Sequence, residues 1–176
     1  MSVEYEVRVL EIDVEKLIGK LEKLGAKKIG DWNQRRYVYD LQEYSKSKWI
    51  RLRTNGEKTT LTYKEIKAQT IDGTEEIEFE IKDFDTANEF LQKIGFKNGR
   101  YQENHRIRYI LNGVELDIDT WPMIPTYLEI EGKSEQEVYD MIKLLDLQNE
   151  KIITTDVCEV YKSYGHDIKN TKVLKF

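Results

Sequence analysis

Eight segments of the chain alternate polar residues with apolar or aromatic ones, which is the two-residue period of a β-strand. They cover residues 3–12, 34–41, 48–54, 59–66, 75–82, 104–111, 114–120 and 126–132. Three other stretches repeat apolar residues at the spacing of an amphipathic helix, at 14–24, 87–94 and 138–145. The pattern therefore predicts eight strands and three helices.

The ends of these elements carry local signals. Each helical stretch follows a residue suited to the N-cap position, namely Asp13, Asp85 and Ser134. Glu137 stands where it would complete a capping box with Ser134. Gly25 and Gly95 end the first two helices. Two Asn-Gly pairs, at 55–56 and 112–113, predict tight hairpins between neighbouring strands.

The predicted elements form a βαβββ unit that occurs twice. The half-repeats span about 3–66 and 75–132, and a C-terminal helix and tail at 134–176 complete a single domain of 1–176. Both first strands carry a Glu-x-Glu pair, Glu4-Tyr5-Glu6 and Glu76-Ile77-Glu78. Eight mainly antiparallel strands predict a barrel or a strongly curved sheet. We expect an α+β fold with a closed eight-stranded barrel and helices packed outside.

The composition adds a surplus of charge to this picture. Charged residues make up 35% of the 176 residues, against an apolar share of 39%. Roughly 25% charged is typical of globular chains. With 11 Tyr, 5 Phe and 3 Trp, the chain has too much packing surface for a disordered protein. The surplus charge must therefore be accommodated within a folded domain.

Several function classes are not expected. The net charge is −5 with no strongly basic block, so neither nucleic acid nor a membrane is an expected partner. No segment reaches the length of a membrane span and the first residues lack a signal-peptide pattern, so we expect a cytoplasmic location. The chain contains one cysteine, Cys158, so an intrachain disulfide is excluded. With only two histidines in addition, a zinc site of the usual Cys/His spacing is excluded as well. Glycine-rich phosphate loops are absent from the sequence.

The charged residues of the strands share one parity. Because neighbouring side chains of a strand point to opposite faces, Glu4, Glu6 and Arg8 lie on one face of the first strand. The alternation recurs for Arg51 and Arg53, for Glu76, Glu78 and Glu80, for Arg106 and Arg108, for Glu115, Asp117 and Asp119, and for Glu129 and Glu131. Apart from Arg8, acids occupy strands one, five, seven and eight, and cations occupy three and six.

A solvated outer face is the ordinary interpretation of a charged strand face. The sorting by sign and the predicted closure of the barrel favour a charged lining instead. Unpaired charges inside a barrel cost about several kcal/mol each, so the interior must hold water, ion pairs or a ligand. Arginine suits bidentate phosphate contacts, and Mg²⁺ or Mn²⁺ prefers carboxylate oxygens. Metal and polyanion together indicate a phosphate chain and phosphoryl transfer.

These residues also carry a family resemblance. Glu4-Tyr5-Glu6-Val7-Arg8 resembles the E-x-E-x-K signature of the CYTH superfamily, the triphosphate tunnel metalloenzymes that include class IV adenylyl cyclases and thiamine or inorganic triphosphatases. Further segments follow in the family's order, at 49–54, 60–64, 76–78, 106–108, 116–119 and 127–132. The resemblance covers residues 3 to about 165.

The resemblance implies a role for each of these charges. It implies that the triphosphate is bound by Arg8, Arg51, Arg53, Lys64, Arg106 and Arg108. It implies that Mg²⁺ or Mn²⁺ is bound by Glu4, Glu6, Asp119, Glu129 and Glu131. Glu78, Glu80 and Asp117 would line the tunnel, and Glu4, Glu6 and Lys64 are the expected catalytic residues. A barrel interior of ion pairs alone is the structural alternative.

Other polar and aromatic positions are given structural roles. We expect Gln34, Tyr37 and Tyr39 to belong to the barrel wall or the core, and His105 to pack or lie at the surface. Arg8 departs from the family, in which lysine is usual. Because arginine is not deprotonated in proteins, a general-base role proposed for that lysine does not transfer to Arg8.

The sequence leaves three functions open. The leading hypothesis is a metal-dependent phosphohydrolase acting on inorganic triphosphate or on a small organic triphosphate such as ATP or thiamine triphosphate. An adenylyl cyclase that forms cyclic AMP and pyrophosphate from ATP would use the same tunnel. A non-catalytic polyphosphate- or nucleotide-binding module is the alternative from another class. Whether the domain forms a homodimer is not decided by the sequence.

Overall fold

The computed structural model describes residues 2–42, 45–97 and 99–176, with only the backbone for residues 2, 3, 42, 45 and 46. The first half contains β1 (Ser2–Val9), α1 (Val14–Lys23), β2 (Lys27–Gln42), β3 (Ser45–Thr54) and β4 (Thr59–Ile66). The second contains β5 (Thr74–Ile81), α2 (Phe84–Lys93), β6 (Arg100–Leu111), β7 (Val114–Thr120) and β8 (Tyr127–Gly132). The remaining elements are α3 (Glu135–Leu144), β9 (Ile152–Ile153), α4 (Val157–Ser163) and β10 (Val173–Leu174).

Eight of these strands close into a barrel. Their order is β6-β2-β3-β4-β5-β1-β8-β7, and β7 pairs back with β6. Every neighbouring pair in this ring is antiparallel. The predicted α+β fold with a closed eight-stranded barrel and external helices is therefore confirmed. Within the ring, β1 and β2 are four strands apart in either direction, so they face each other across the interior.

The hydrophobic core lies outside the barrel, between the strands and the helices. Helices α1 and α3 cover β1, β6, β7 and β8, where Leu21, Leu116, Ile130 and Val138 are fully buried. Helix α2 covers β2 and β3 over Tyr39, Leu52 and Leu91. Because the apolar faces of most strands point outward to the helices, the opposite, charged face lines the interior. On β5 the outward residues Ile77 and Phe79 are exposed instead.

Several boundaries differ from the sequence-based expectations. Strand β2 begins at Lys27 rather than near 34, since residues 27–30 continue the pairing with β6 through a bulge between Lys28 and Gly30. A Cβ on Gly30 would lie 1.7 Å from a ring atom of Trp32, so only glycine fits beside that ring. Strand β6 begins at Arg100 rather than 104.

The predicted caps hold for two of the three helices. Asp13 and Ser134 cap α1 and α3. Asp85 was the wrong residue for α2, because the chain turns into that helix two residues earlier and Asp83 accepts the N–H of Thr86. At α3 the Glu137 carboxylate accepts the N–H of Lys133 at 2.8 Å instead of that of Ser134.

The tail beyond α3 adds structure that periodicity did not predict. Strand β9 pairs with β1 and strand β10 pairs in parallel with β6. Helix α4 buries Tyr161 against Trp121, with ring centroids 6.3 Å apart. The Tyr161 hydroxyl donates to the carbonyl of Pro122 at 2.6 Å. The described helices include none long and apolar enough to cross a membrane.

The buried tyrosine predicts the stability of the tail. We expect Tyr161→Phe to lower the free energy of unfolding by about 1–2 kcal/mol, because it leaves the Pro122 carbonyl without its donor in a dry site. Tyr164→Phe is the control, since that hydroxyl donates to Glu11 at the surface and its loss should cost less than about 0.5 kcal/mol. Urea titration of both variants measures the difference, and equal losses would contradict the assignment.

Candidate active site

A cavity of about 490 Å³ lies inside the barrel and is lined by charges of both signs. Its cations are Arg8, Arg36, Arg51, Lys64, Arg100 and Arg106, with Lys162 and Lys169 from the tail. Its acids include Glu6, Asp40, Asp119 and Glu129. The strand pairing places Arg53, Arg108, Glu4, Glu78, Asp117 and Glu131 on the same inward face. The inward parity predicted from the sequence brings these side chains together.

One side of the interior is an arginine–carboxylate network. Arg106 donates to both carboxylate oxygens of Asp119, at 2.8 and 2.5 Å, and also reaches Asp117 and Glu129. Burial alone would lower the pKa of Arg106, but Asp117 and Asp119 outweigh burial and raise it well above its usual value. Arg108 donates to the two oxygens of Asp117 at 2.7 and 2.6 Å. Ion pairs between arginines of β6 and aspartates of β7 therefore link these two strands.

Arg8 joins the barrel wall to the tail. Its Nη2 atom lies 3.0 Å from Glu6 and 2.8 Å from Glu129, and its Nη1 atom donates to the carbonyl of Thr155 at 2.7 Å. Burial raises the pKa of the Glu129 carboxyl, yet Arg8 and Arg106 outweigh burial and lower the pKa below its usual range. Glu129 is therefore ionised throughout the neutral range.

The carboxylates around β1 and β8 are crowded. Lys64 donates to both oxygens of Glu4, at 2.7 and 2.8 Å, but burial still raises the pKa of Glu4. Burial and the neighbouring acids Glu4, Glu129 and Glu6 raise the pKa of Glu131 to about 8. Among the described residues Glu131 forms no ion pair. The cluster therefore holds more negative charge than its cations neutralise.

Around β3, positive charge exceeds negative charge. Arg51 and Arg53 approach one carboxylate, that of Glu78, at 3.3 and 3.6 Å. Glu78 is oriented by the Thr62 hydroxyl, which donates to it at 2.6 Å. Burial and the neighbouring arginines lower the pKa of Arg53 well below its usual value. An anion placed between these guanidinium groups would relieve that repulsion.

Arg36 is a functional candidate that the sequence reasoning missed. It is 5% exposed, and its Nη2 atom donates to the side-chain oxygens of Gln34, at 3.1 Å, and Asn104. Burial, Arg51 and Arg106 lower its pKa to about 9. The signal was present in the sequence: Arg36 shares the inward parity of Gln34 and pairs with Arg53, whereas Arg35 points outward.

Unsatisfied donors concentrate in the cavity. Among the described residues, seven buried side-chain nitrogen or oxygen atoms lack a hydrogen-bond partner. Five of the seven are N–H donors on cavity-lining residues: the Nε atoms of Arg8, Arg36, Arg51 and Arg100, and Nε1 of Trp121. An unsatisfied buried donor costs about 1–3 kcal/mol. The residues that line the cavity therefore carry most of the unsatisfied buried donors of the described chain.

The acidic residues of the cavity carry the carboxylate oxygens that a hard divalent cation prefers as ligands. Within the described part of the chain, no three acidic, His or Cys side chains are arranged to hold a metal ion. Glu4 is turned toward Lys64 and Glu6 toward Arg8. The donors are nevertheless carboxylate oxygens, and the raised pKa of Glu131 reports the repulsion that a cation would remove. The metal-binding roles of Glu4, Glu6, Asp119, Glu129 and Glu131 stay predictions.

The remaining candidate residues lie at the rim or outside. Glu80 is exposed at one end of the barrel, 2.7 Å from Lys58, and lines a second cavity of about 840 Å³ around the β3–β4 hairpin. His105 lies on the outer face, 2.6 Å from Asp31. Tyr37 and Tyr39 belong to the outer core under α2. Gln34 belongs to the inner wall, where it is buried against Arg36.

Comparisons with known proteins agree with this architecture. The PH1012 protein of Pyrococcus horikoshii is 29% identical, with 87% of this chain and 96% of that chain covered and a TM-score of 0.73. A conserved hypothetical protein from Pyrococcus furiosus is 26% identical, with 89% and 98% covered and a TM-score of 0.76. The Hippeastrum protein HpAC1 shares the fold at 18% identity, with 93% and 96% covered and a TM-score of 0.63.

The family itself is recognised at the level of sequence. A search of curated proteins finds no match. The sequence profile of the CYTH domain, in contrast, matches residues 2–156, which is most of the chain. The protein therefore belongs to the CYTH domain family.

Proposed function

We propose that this protein is a metal-dependent triphosphatase, which hydrolyses inorganic triphosphate or a small organic triphosphate inside the barrel. The observation that carries the proposal is the surplus of buried guanidinium donors around the cavity: Arg36 forms no ion pair with a described carboxylate, and Arg51 and Arg53 share Glu78. Phosphate oxygens satisfy such donors, and their charge balances the arginines. A neutral ligand could accept from the donors but would leave the charge of the arginines unbalanced, and a cationic ligand would add to that charge.

The distribution of charge favours a chain of phosphates over a single phosphate group. Arg36 and Arg51 lie on β2 and β3, whereas Arg8 lies on β1 across the interior. A ligand that contacts both sides must span the cavity. Its volume of about 490 Å³ lies within the roughly 300–1,000 Å³ typical of small-molecule sites.

The residues of the chain have separable tasks in this reaction. Arg51 and Arg53 neutralise phosphate oxygens, and Lys64, held by Glu4, places a further positive charge beside the acidic cluster. Mg²⁺ or Mn²⁺ held by the candidate carboxylates would supply charge neutralisation and a water of lowered pKa. Because Arg8 keeps its proton, it positions charge and takes no part in proton transfer.

Structural relatives support hydrolysis as the first activity to test. The structure of HpAC1 from Hippeastrum bears an adenylyl cyclase name and is stated to reveal a dominant triphosphatase activity. At 18% identity this relative shares the fold, so its activity serves only as an analogy for the present chain. Cyclisation of ATP is therefore an outcome that the assay must be able to detect.

Replacing a cavity arginine tests the function. The substrates are tripolyphosphate, ATP and thiamine triphosphate, each with Mg²⁺ or Mn²⁺, and the products are resolved as phosphate, pyrophosphate or cyclic AMP. We expect phosphate release, and we expect Arg51→Met to lower kcat/KM by about 10²–10³-fold because a preorganised charge at the phosphates is lost. Arg35→Met is the matched control, since Arg35 lies on the outer face and should leave kcat/KM within about twofold.

Three other outcomes would contradict the proposal. Formation of cyclic AMP and pyrophosphate, without phosphate, would identify a cyclase. No turnover of any substrate, with retained thermal stabilisation by triphosphate, would identify a binding module. An equal loss of activity in Arg51→Met and Arg35→Met would show that the cavity does not hold the substrate.

A pair of glutamate variants separates a substrate site from an interior held by ion pairs. In EDTA, we expect Glu129→Gln to lower the free energy of unfolding by on the order of 2–4 kcal/mol, because Arg8 and Arg106 lose a partner. Glu131→Gln should be neutral or stabilising by about 1–2 kcal/mol, since this carboxyl is unpaired and crowded by other acids. Equal destabilisation by both would favour a purely structural interior.

The effect of Glu131 on stability has a predicted pH dependence. The pKa of Glu131 is raised to about 8 in the folded protein, so its protonated form is favoured there. Its contribution to stability is present below the unfolded pKa of about 4.3 and is lost as pH rises toward 8. Thermal unfolding in EDTA should therefore show a smaller decline between pH 5 and 8 for Glu131→Gln than for the wild type. An unchanged decline would show that the Glu131 carboxyl has an ordinary pKa.

A further inference from the structure

Arg36, on the strand opposite β1, lies in a fixed arrangement on the cavity wall. Its guanidinium carbon stands 4.6 Å from the centroid of the Trp121 ring, which packs against one face of the cation. Both of its hydrogen bonds, to Gln34 and Asn104, use the Nη2 atom. The Nε atom is buried and has no partner. The guanidinium is therefore oriented by neutral groups, and its Nε and Nη1 nitrogens have no hydrogen-bond partner among the described residues.

Trp121 contributes a further unused donor. The indole is 3% exposed and its Nε1 atom has no hydrogen-bond partner, although the residue lines the cavity. Buried tryptophan N–H groups usually find an acceptor. The indole also makes an edge contact with the ring of Tyr161. Arg36 and Trp121 are thus a preorganised pair without an acceptor.

The surroundings of Arg36 are positive. Arg51 and Arg106 both act to lower the pKa of Arg36. The acid that acts against them most is Asp119, but both of its oxygens already accept from Arg106, and one also accepts from Asn104 at 3.0 Å. No described carboxylate forms an ion pair with Arg36. A negative charge is therefore missing on this side of the cavity.

We propose that Arg36 and Trp121, together with Arg51, form a phosphoryl-binding subsite that acts without a metal ion. The ligand is the tetrahedral, doubly charged end of a phosphate chain. Arg36 and Arg51 lie across the barrel from the candidate metal-binding carboxylates on β1 and β8, whereas the candidate ligand Asp119 is two residues before Trp121 and accepts from Arg106 and Asn104. The subsite therefore holds one end of the chain by N–H donors alone, while the other end reaches the acidic side.

This subsite deepens the proposed triphosphatase function and rests on it for the identity of the substrate. Its binding step is separate from hydrolysis, because it requires neither metal nor turnover. Since Gln34, Asn104 and Trp121 already fix the guanidinium, little side-chain entropy is lost when an anion binds. The unpaired, buried cation instead destabilises the free protein before the anion binds.

Anion binding in EDTA tests the subsite. Isothermal titration with tripolyphosphate gives the dissociation constant, and thermal unfolding with and without tripolyphosphate gives the shift. We expect Arg36→Met to weaken binding by about 10- to 100-fold, as for the loss of a charged hydrogen bond. Trp121→Phe keeps a ring but removes the N–H and should weaken binding by about three- to tenfold. Arg35→Met, on the outer face, should bind as the wild type does.

The shift of the unfolding temperature by tripolyphosphate gives an independent readout. Arg36→Met should gain less from tripolyphosphate than the wild type does, since the cation of the subsite is removed. Arg36→Lys, which keeps the charge without the planar fork, should bind with intermediate affinity. An equal gain from tripolyphosphate in Arg36→Met and in the wild type would indicate a purely structural role and overturn the proposal.

Failure of the subsite and failure of the proposed function are distinguishable. If the wild type binds tripolyphosphate in EDTA but releases no product with any metal, hydrolysis is refuted and the subsite stands. If the wild type hydrolyses triphosphate but Arg36→Met binds it in EDTA as tightly as the wild type, the subsite is refuted. Absence of any binding to the wild type in EDTA also refutes it.

Discussion

The structure depends on the compensation of charge inside a closed barrel. Arg106 is the centre of that compensation, because it contacts Asp117 and Asp119 on the neighbouring strand β7 and Glu129 on β8, the strand beyond it. A buried guanidinium with three carboxylates is tolerated only when its geometry and hydrogen bonds are good. The apolar core lies outside the barrel, so the wall is supported by helices and the interior needs no hydrophobic filling. Charged side chains can therefore point inward without removing the core that stabilises the fold.

The charges inside the barrel are not balanced equally on all sides. A network made only of ion pairs would be balanced throughout, whereas a ligand-binding site leaves some charges without partners. Arg108 and Asp117 neutralise each other, whereas Arg51 and Arg53 share Glu78. On the opposite side Glu131 has a raised pKa because acids surround it. Positive charge thus accumulates near β2 and β3, and negative charge near β1 and β8. A ligand with phosphate oxygens and a divalent cation corrects both excesses at once, which neither partner alone can do.

The sequence predicted faces more reliably than contacts. A period of two residues places Arg51, Arg53, Glu129 and Glu131 on one face, because the pleat of a strand allows nothing else. It does not give the register between strands, so the pairing of Arg106 with Asp119 could not be foreseen. Arg36 was missed although its position in the strand shows which face it lies on. Most of the other strands were recognised because two or more charges of the same sign alternate along them, and the strand of Arg36 has no second cation on that face. The tail was missed because β9, β10 and α4 are too short for periodicity to reveal them.

The arginine at position 8 shows how one substitution joins these features. A guanidinium has two terminal nitrogens, so Arg8 contacts Glu6 and Glu129 through one and the Thr155 carbonyl through the other. Lysine, with a single nitrogen on a flexible stem, lacks the planar fork that spans these partners. The tail that Arg8 binds supplies part of the cavity wall, including Thr155 and Cys158. Arg8 therefore ties the C-terminal segment to the acidic side of the barrel, and any proton transfer in the reaction must belong to another group.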